Sequence, residues 1–433
     1  MEMKTNFEYL FILIMLIMAS LIAFSTSFDR HPDERAHYEA FQYFKSHWWP
    51  ADIGSEELYH SPYGWSRVYT GEIVYLIYGK LAYPLDLLGI QNKMIFVIYY
   101  RMLNVILFGA MLLTLFHIRS DLFDTKPFLY LILCIPQITY LFSYANSDAF
   151  AVAISTLLFL LVLIIIENDG DVSLQQSISL GVLLGLLLCS KLPYILSIIL
   201  PLTFLAFKCY TNWKINKKYN FARVLRTGSL VLVIAVMIFS PFKFIYPLSQ
   251  GNFAEKKELC NEKFAVEEYK PSKPSAPNYH ISQKGETLLS MITQTPWLKF
   301  SLYSYYGYFG RMRIRLDRYY YGLALLGVMI LFGITIYTTA KKWSNIPILL
   351  KLGLFISPAL LVLNIYASMI NSWTEDWQPQ GKYLFPTLMN LLIMLTGTYR
   401  ITSVRLKFTM KIMFMLFYIL ALSILYRFAF LKL

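Results

Sequence analysis

An all-α bundle that crosses a lipid bilayer about eleven times is the fold class this sequence predicts, and three observations predict it. Of the 433 residues 57% are hydrophobic and 15% charged, with a mean hydropathy of +0.50; soluble domains carry about 25% charged residues. The apolar residues gather into runs, several of which exceed 18, the length that crosses a hydrocarbon core as a helix. The lysines and arginines gather in short clusters between those runs, as the bias of basic residues towards cytoplasmic loops requires. The formal charge of +13 therefore reports topology, and no nucleic-acid partner is implied.

In chain order, the first span covers residues 7–27. It is preceded by a short segment carrying Lys4 and followed by no small-residue cleavage site, so it reads as a retained anchor. A polar, aromatic segment extends to residue 69. The run 71–88 contains Glu72, Lys80, Pro84 and Asp86, costly groups at membrane depth, and is expected at the interface rather than across the bilayer. Further spans are expected at 95–116, 127–142, 149–166, 178–189, 192–207, 230–246, 320–337, 346–369, 383–398 and 412–426. Three regions follow: a membrane module at 1–246 with a first outer loop at 28–92, a long loop at 247–318, and C-terminal helices at 319–433.

With the N-terminus cytoplasmic and 71–88 not crossing, the clusters at Arg119/Lys126, 208–226, Lys341/Lys342 and 400–411 all fall on the cytoplasmic side. The loop around Asp33, the turn 144–148, the loop 248–318 and the turn 371–382 then share the outer face. The long loop has a polar half, 251–283, rich in Lys and Pro and expected to be extended or mobile. Its second half, 287–318, sets Trp297, Tyr305 and Phe309 beside Arg311, Arg313, Arg315 and Arg318, a composition that marks a membrane surface. Cys134, Cys189 and Cys209 fall in apolar spans and Cys260 in the long loop, so neither a disulfide framework nor a zinc spacing is expected.

Four outward motifs carry polar groups in apolar surroundings. In HPDERAHYEAF at 31–41, Pro32 suits a helix start, and Asp33 and Glu34 enter its first turn. His37 lies one turn beyond Asp33; a carboxylate and an imidazole so spaced relay a proton or share a metal, whereas adjacent residues point apart. Asn146 and Asp148 stand in the turn SYANSD at 143–148, where a helix cap is the plain alternative. Lys191, in SKLPY at 190–194, runs against the charge bias and either holds an anion or snorkels. In the stretch 375–386, Gln380, Gly381, Lys382 and Tyr383 form a tight turn carrying a second outer-face lysine; an aromatic-belt loop is the alternative.

PDERAHY at 32–38 resembles the Pro-Asp-Glu-x-Ala-His-Phe signature of a bacterial family of predicted membrane proteins of unknown function, related to the GT-C glycosyltransferases. SYANSDAF at 143–150, SKLPY at 190–194, YYGYFG at 305–310 and QGKYLFP at 380–386 are similar to further stretches of that family, so the resemblance covers nearly the whole chain. It implies a GT-C-like bundle with juxtamembrane helices in the first outer loop and a long outer loop before span 8. It also implies a bacterial cytoplasmic (inner) membrane location and an acidic residue, in the position of Asp33, acting where a polyprenyl-phosphate sugar meets its acceptor. The family usually has Arg where Lys382 stands, a change that keeps a cation and loses bidentate phosphate pairing.

The expected activity is inverting transfer of a sugar from a polyprenyl-phosphate donor to a cell-envelope glycan, lipid or protein acceptor on the extracytoplasmic face. Asp33 is the expected base, with Glu34 beside it in the catalytic pair; Lys191, Lys382 or Arg311 and Arg313 meet the leaving phosphate. His37, Asn146, Gln380 and Tyr383 are further expected substrate contacts, and lipid tails are expected along the aromatic face 297–309. Asp148 either steers the acceptor or completes a divalent-metal site, Mg or Mn, with Asp33 or Glu34. The alternatives are a polymerase or ligase of lipid-linked glycans, separable by product mass, and a lipid-linked-sugar transporter or flippase. Transport favours ionisable groups near the midplane; Asn104 and Asn364 lie inside spans, but the ionisable residues gather at the outer edges, which favours surface chemistry.

Overall fold

The computed structural model describes residues 7–118, 120, 122–168, 172–215 and 221–431. Lys4, Arg119, Lys217 and Lys218, which the sequence reading used for topology, lie outside the described residues. All eleven expected runs are helical. The order is α1 (Phe7–Ser25), α2 (Glu34–Ser46), α3 (Ile73–Leu87), α4 (Lys93–His117), α5 (Lys126–Leu133), α6 (Pro136–Leu141), α7 (Asp148–Glu167), α8 (Leu174–Leu188) and α9 (Leu196–Tyr210). Then α10 (Phe221–Ser240) runs through a π turn (Pro241–Ile245) into α11 (Tyr246–Ser249). The long loop holds α12 (Phe253–Phe264), α13 (Leu288–Gln294), α14 (Trp297–Gly307) and a hairpin of β1 (Tyr308–Phe309) and β2 (Ile314–Arg315). It is followed by α15 (Arg318–Lys341), α16 (Ile348–Thr374), a 3-10 turn (Gly381–Thr387) leading into α17 (Leu388–Thr396), and α18 (Val404–Leu431).

Among the described residues, eight helical segments are long and apolar enough to cross a membrane: α1, α4, α7, residues 192–214, residues 225–249, α15, α16 and α18. The chain is an all-helical, multi-pass membrane protein. The other three expected crossings are shorter or broken, for physical reasons that can be named. Residues 127–142 divide at Ile135, whose extended backbone (φ −104, ψ 97) is what a residue before proline prefers. The run at 178–189 is the 15-residue α8, and 383–398 begins as a 3-10 turn containing Pro386 before α17 forms. Helix α3 has 15 residues, as α8 has, and differs from it in carrying Lys80 and Asp86, groups that are costly at membrane depth. It lies against α2 at Gly79, where a Cβ would stand 2.7 Å from the Phe41 carbonyl oxygen. Its charged groups are accounted for: Asp86 pairs with Lys45 at 2.9 Å, and Lys80 donates to the Lys45 carbonyl at 3.2 Å.

Helix α1 has opposite surroundings at its two ends. At its N-terminal end Glu8 pairs with Lys126 at 3.1 Å and shares a cleft with Lys411. At its C-terminal end it leads into α2 and the motif loops. Close helix packing supports the frame: Gly181 and Gly185, four apart on α8, meet the backbone carbonyls of Val231 and Ala235 on α10, where added Cβ atoms would stand 2.9 and 3.0 Å away.

Two expectations for the long loop are corrected. The polar half is not extended throughout: α12 forms over 12 residues, capped by Asn252, and is anchored to the first loop. Phe264 stacks on His60, the Cys260 thiol donates to the Gly64 carbonyl, and Val266 N–H donates to the Pro62 carbonyl at 3.0 Å. The aromatic half does not face lipid as a sheet of rings. Trp297, Tyr306 and Phe309 are buried in protein; Phe309 packs on Tyr140 and Phe428, and Tyr305 packs on Phe385.

Candidate functional site

The loop from α1 to α2 turns through two left-handed residues, Asp29 (φ 63) and Asp33 (φ 54), a backbone that costs a non-glycine residue about 1–2 kcal/mol. Asp33 occupies the N-cap of α2, yet its side chain caps nothing. The strained turn instead directs the carboxylate, 50% exposed, to Arg67, with Nη2 3.2 Å from Oδ2. Burial of its surroundings pushes the Asp33 carboxyl up, but the charges of Lys382, Arg67, Lys191 and Arg311 outweigh that and hold it below the ordinary aspartate value. Asp33 is therefore an ionised, reachable carboxylate among cations.

Glu34, the expected catalytic neighbour, is corrected to a structural residue. Both it and Arg101 of α4 are 0% exposed, joined by two bonds, Nε to Oε1 at 2.7 Å and Nη2 to Oε2 at 2.9 Å. The same guanidinium donates to the carbonyls of Ala23, Thr26 and Ser27, and the Asp29 N–H donates to Glu34 Oε2 at 3.0 Å. The pair ties the end of α1 to α2 and fixes the turn that presents Asp33. Adjacent residues do point apart here, one to each job.

His37 does not pair with Asp33 through its side chain. Its ring is buried, stacks on Tyr75 and meets the Tyr75 hydroxyl at Nδ1, 2.9 Å. Burial first, then the charges of Arg67, Lys191 and Lys382, hold His37 well below the ordinary histidine value, so it is neutral. Its reach to those cations places it at the wall of the same site.

Asp148, Lys191 and Lys382 do converge. Asp148 opens α7 and is 1% exposed; Lys191, between α8 and α9, approaches Oδ2 at 2.7 Å, and Lys382, buried in the 3-10 turn, at 3.9 Å. Lys382 is held there by Gly381, where a Cβ would stand 2.0 Å from the Tyr305 amide nitrogen, so only glycine lets α14 come this close. Tyr383 lies in the field of Lys191, Asp148, Asp33 and Arg67. Its hydroxyl donates to Gln378 Oε1, Gln378 donates to Asp376 at 2.7 Å, and Tyr63 of the first loop donates to the same carboxylate oxygen at 2.7 Å. Gln380 supports this turn through its carbonyl, which accepts from the Tyr383 N–H at 3.1 Å.

Asn146 is also corrected: it is a turn residue, not a substrate contact. Its Nδ2 donates to the carbonyls of Leu141 and Tyr144, and its Oδ1 accepts from the Ala149 N–H at 2.8 Å. Asn104 braces the turn from α4, donating to the Tyr144 carbonyl at 2.6 Å. Arg311 pairs with Asp29 at 2.5 Å and adds its charge to the field at Asp33. Arg313 faces a separate groove with Arg315 and Arg318.

Sequence reasoning missed Arg67 and Tyr75 as site residues and treated Glu72 only as an obstacle to crossing. Glu72 is 6% exposed, precedes α3, and acts on Arg67, Tyr75, Tyr194 and Lys243. A glutamate leading an apolar run was the available signal; nothing local distinguishes Arg67. Glu72 Oε2, Ser147 Oγ, Asp148 Oδ1 and the Tyr194 hydroxyl are buried without a hydrogen-bond partner among the described residues. Buried polar atoms left open in one place mark where a polar ligand or water belongs.

A divalent cation does not fit this donor set. Among the described residues no three His, Cys, Asp or Glu side chains come together, and Glu34 is committed to Arg101. Asp33 and Asp148 are already faced by Arg67, Lys191 and Lys382, a field that repels a metal ion and attracts an anion. A family model described as Predicted membrane protein (DUF2142) matches residues 43–391, a stretch that takes in Arg67, Glu72, Asp148, Lys191 and Lys382 and begins after Asp33. No curated protein matches the chain.

Proposed function

We propose that this chain, which belongs to the DUF2142 family of predicted membrane proteins, is an integral membrane glycosyltransferase that uses a polyprenyl-phosphate sugar. On this reading it has a GT-C-like bundle of eleven crossings, counting α5 with α6, α8, and the 3-10 turn with α17 alongside the eight longer segments. Lys126, Lys342, Lys407 and Lys411 belong to the cytoplasmic end, and the Asp33 end faces outwards, in the bacterial inner membrane. The observation that carries the proposal is one reachable carboxylate, Asp33, paired with Arg67 and lying in the positive field of Lys191 and Lys382, which meet at Asp148 beside buried, unpartnered polar atoms.

Asp33 accepts the proton of the acceptor hydroxyl. The hydroxyl oxygen forms its bond to the anomeric carbon opposite the departing phosphate oxygen, so configuration inverts. The electron pair of the broken bond stays on the polyprenyl phosphate, whose charge Lys191 and Lys382 offset. Asp148 holds those two lysines in place before the phosphate arrives.

The test is transfer by purified protein in lipid with a panel of polyprenyl-phosphate sugars, wild type beside Asp33→Asn. Release of polyprenyl phosphate by wild type, reduced about 10²–10⁴-fold in the variant at unchanged thermal stability, is expected. Near-normal turnover in Asp33→Asn removes it as the base. Absence of release with every donor, together with movement of labelled lipid between leaflets, replaces the reading with a transporter.

A further inference from the structure

In the hairpin before α15, Arg311, Arg313 and Arg315 are exposed, while Met312, Ile314 and Leu316 between them are half-buried. In β2, Ile314 packs on the core and Arg315 points away from it, Leu316 packs on the core beyond, and Arg313 leaves the turn just before the strand. Gly310, Arg311 and Met312 are successive left-handed residues (φ 52, 52 and 60), so a strained turn sets this register. The hairpin is tied down firmly: Gly310 N–H donates to the Tyr140 hydroxyl at 3.0 Å, and Tyr308 N–H donates to Gln137 Oε1 at 2.9 Å. The result is a groove of about 600 Å³ lined by Tyr308, Arg313, Arg315, Leu316, Asp317 and Arg318. Among the described residues none of these three arginines makes an ion pair, whereas Arg311 beside them does.

The groove stands at the first turn of α15, a membrane-spanning helix whose next residue, Tyr319, is exposed. That is the level at which lipid phosphates lie and tyrosines gather. Exposed guanidiniums carried at that level on an anchored hairpin can pair phosphate oxygens in bidentate geometry. We propose that this groove binds the phosphate of an anionic lipid headgroup, as a site separate from the Asp33, Asp148 and Lys382 cluster. Arginines gathered at the end of the bundle away from Lys126 and Lys411 run against the usual charge bias; Asp317 in the groove offsets one of the three charges, and a bound anionic headgroup adds counter-charge for the rest.

The test uses the full chain in phosphatidylcholine nanodiscs with a small fraction of spin-labelled phosphatidylglycerol or spin-labelled phosphatidylcholine, reading the motionally restricted fraction of each. Wild type is expected to restrict phosphatidylglycerol preferentially. R313Q/R315Q/R318Q is expected to lose the preference, about fivefold for each arginine removed. Asp33→Asn is expected to keep it, which separates this site from the transferase reading. The single variant Arg315→Gln gives an intermediate value should the triple variant unfold. Equal restriction of the two lipids by wild type, or a preference unchanged in the arginine variants, overturns the proposal. Displacement of the labelled lipid by inorganic phosphate at low millimolar concentration assigns the groove to a soluble anion and overturns the lipid assignment.

Discussion

Replacing Glu34 by alanine separates a structural carboxylate from a catalytic one. In the folded chain the Arg101 guanidinium is 0% exposed, and Glu34 supplies its only counter-charge among the described ion pairs. Alanine removes both charge-assisted bonds, at 2.7 and 2.9 Å, and the acceptor for the Asp29 N–H, while the carbonyls of Ala23, Thr26 and Ser27 remain. Breaking a buried pair by removing one partner costs about 3–5 kcal/mol, because the remaining charge has no water to retreat to. Thermal unfolding of the purified protein in detergent is expected to show that loss for Glu34→Ala. The double variant Glu34→Ala/Arg101→Met is expected to recover part of it, since no unpaired charge remains; recovery is incomplete because three carbonyls lose their donor. Loss of transfer in Glu34→Ala should always come with loss of stability, because breaking the pair both leaves the Arg101 charge unpaired and loosens the turn that presents Asp33. A variant that unfolds like wild type yet transfers nothing refutes the assignment and returns Glu34 to the catalytic pair.

Lys382→Met is expected to lower turnover by about 10²–10³, the usual cost of one donor aimed at developing charge, while Lys382→Arg retains activity; transfer rates decide both. Gly381→Ala is expected to displace α14 from the 3-10 turn, because its Cβ meets backbone at 2.0 Å, and to lower both thermal stability and activity. Burial, with Arg101 for His31 and with Arg67, Lys191 and Lys382 for His37, holds both rings well below 6.5. The unfolded chain therefore binds protons below about pH 6.5 that the folded chain does not, and stability falls with decreasing pH by about 1.4 kcal/mol per pH unit for each ring. Melting curves between pH 5 and 7.5 should show this slope, shallower in His37→Asn. Asp33 is held below 3.8, so transfer should show no acidic limb from that residue between pH 5 and 7.

The membrane class and the helical runs were legible because span length and charge bias are properties of long windows, and averaging over many residues overrides local accidents. The breaks inside short spans were less so. Pro136 announced one division, but whether a residue before proline ends a helix depends on what packs around it. In the site, Asp148, Lys191 and Lys382 stood out because each is a charge at the edge of an apolar run, and both lysines come within 4 Å of Asp148. Asn146 looked the same in sequence and proved to be a turn brace, since an amide that bonds to its own backbone satisfies the same polar pattern as one that waits for a ligand.

Asp33 and Glu34 mark the limit of such reading. Both are acids at a helix start, and both satisfy the cap and dipole preferences of that position. What separates them is one backbone dihedral and one distant residue: the left-handed φ of 54 at Asp33, and Arg101, 67 residues away on α4. A sequence window around the motif contains neither. The strain at Asp33 and the burial of Glu34 are coupled, because the pair that holds Glu34 also holds the carbonyls at the end of α1, and so fixes the turn in which Asp33 is left without a cap to make. A carboxylate released from capping by its neighbour's ion pair is free to meet Arg67 and, beyond it, an acceptor hydroxyl. That coupling predicts a gradient: Arg101→Lys, which keeps the charge but loses the fork that grips both Glu34 oxygens, should loosen the turn and reduce transfer more than it reduces stability. Equal losses in the two measurements would mean that Arg101 serves the fold alone.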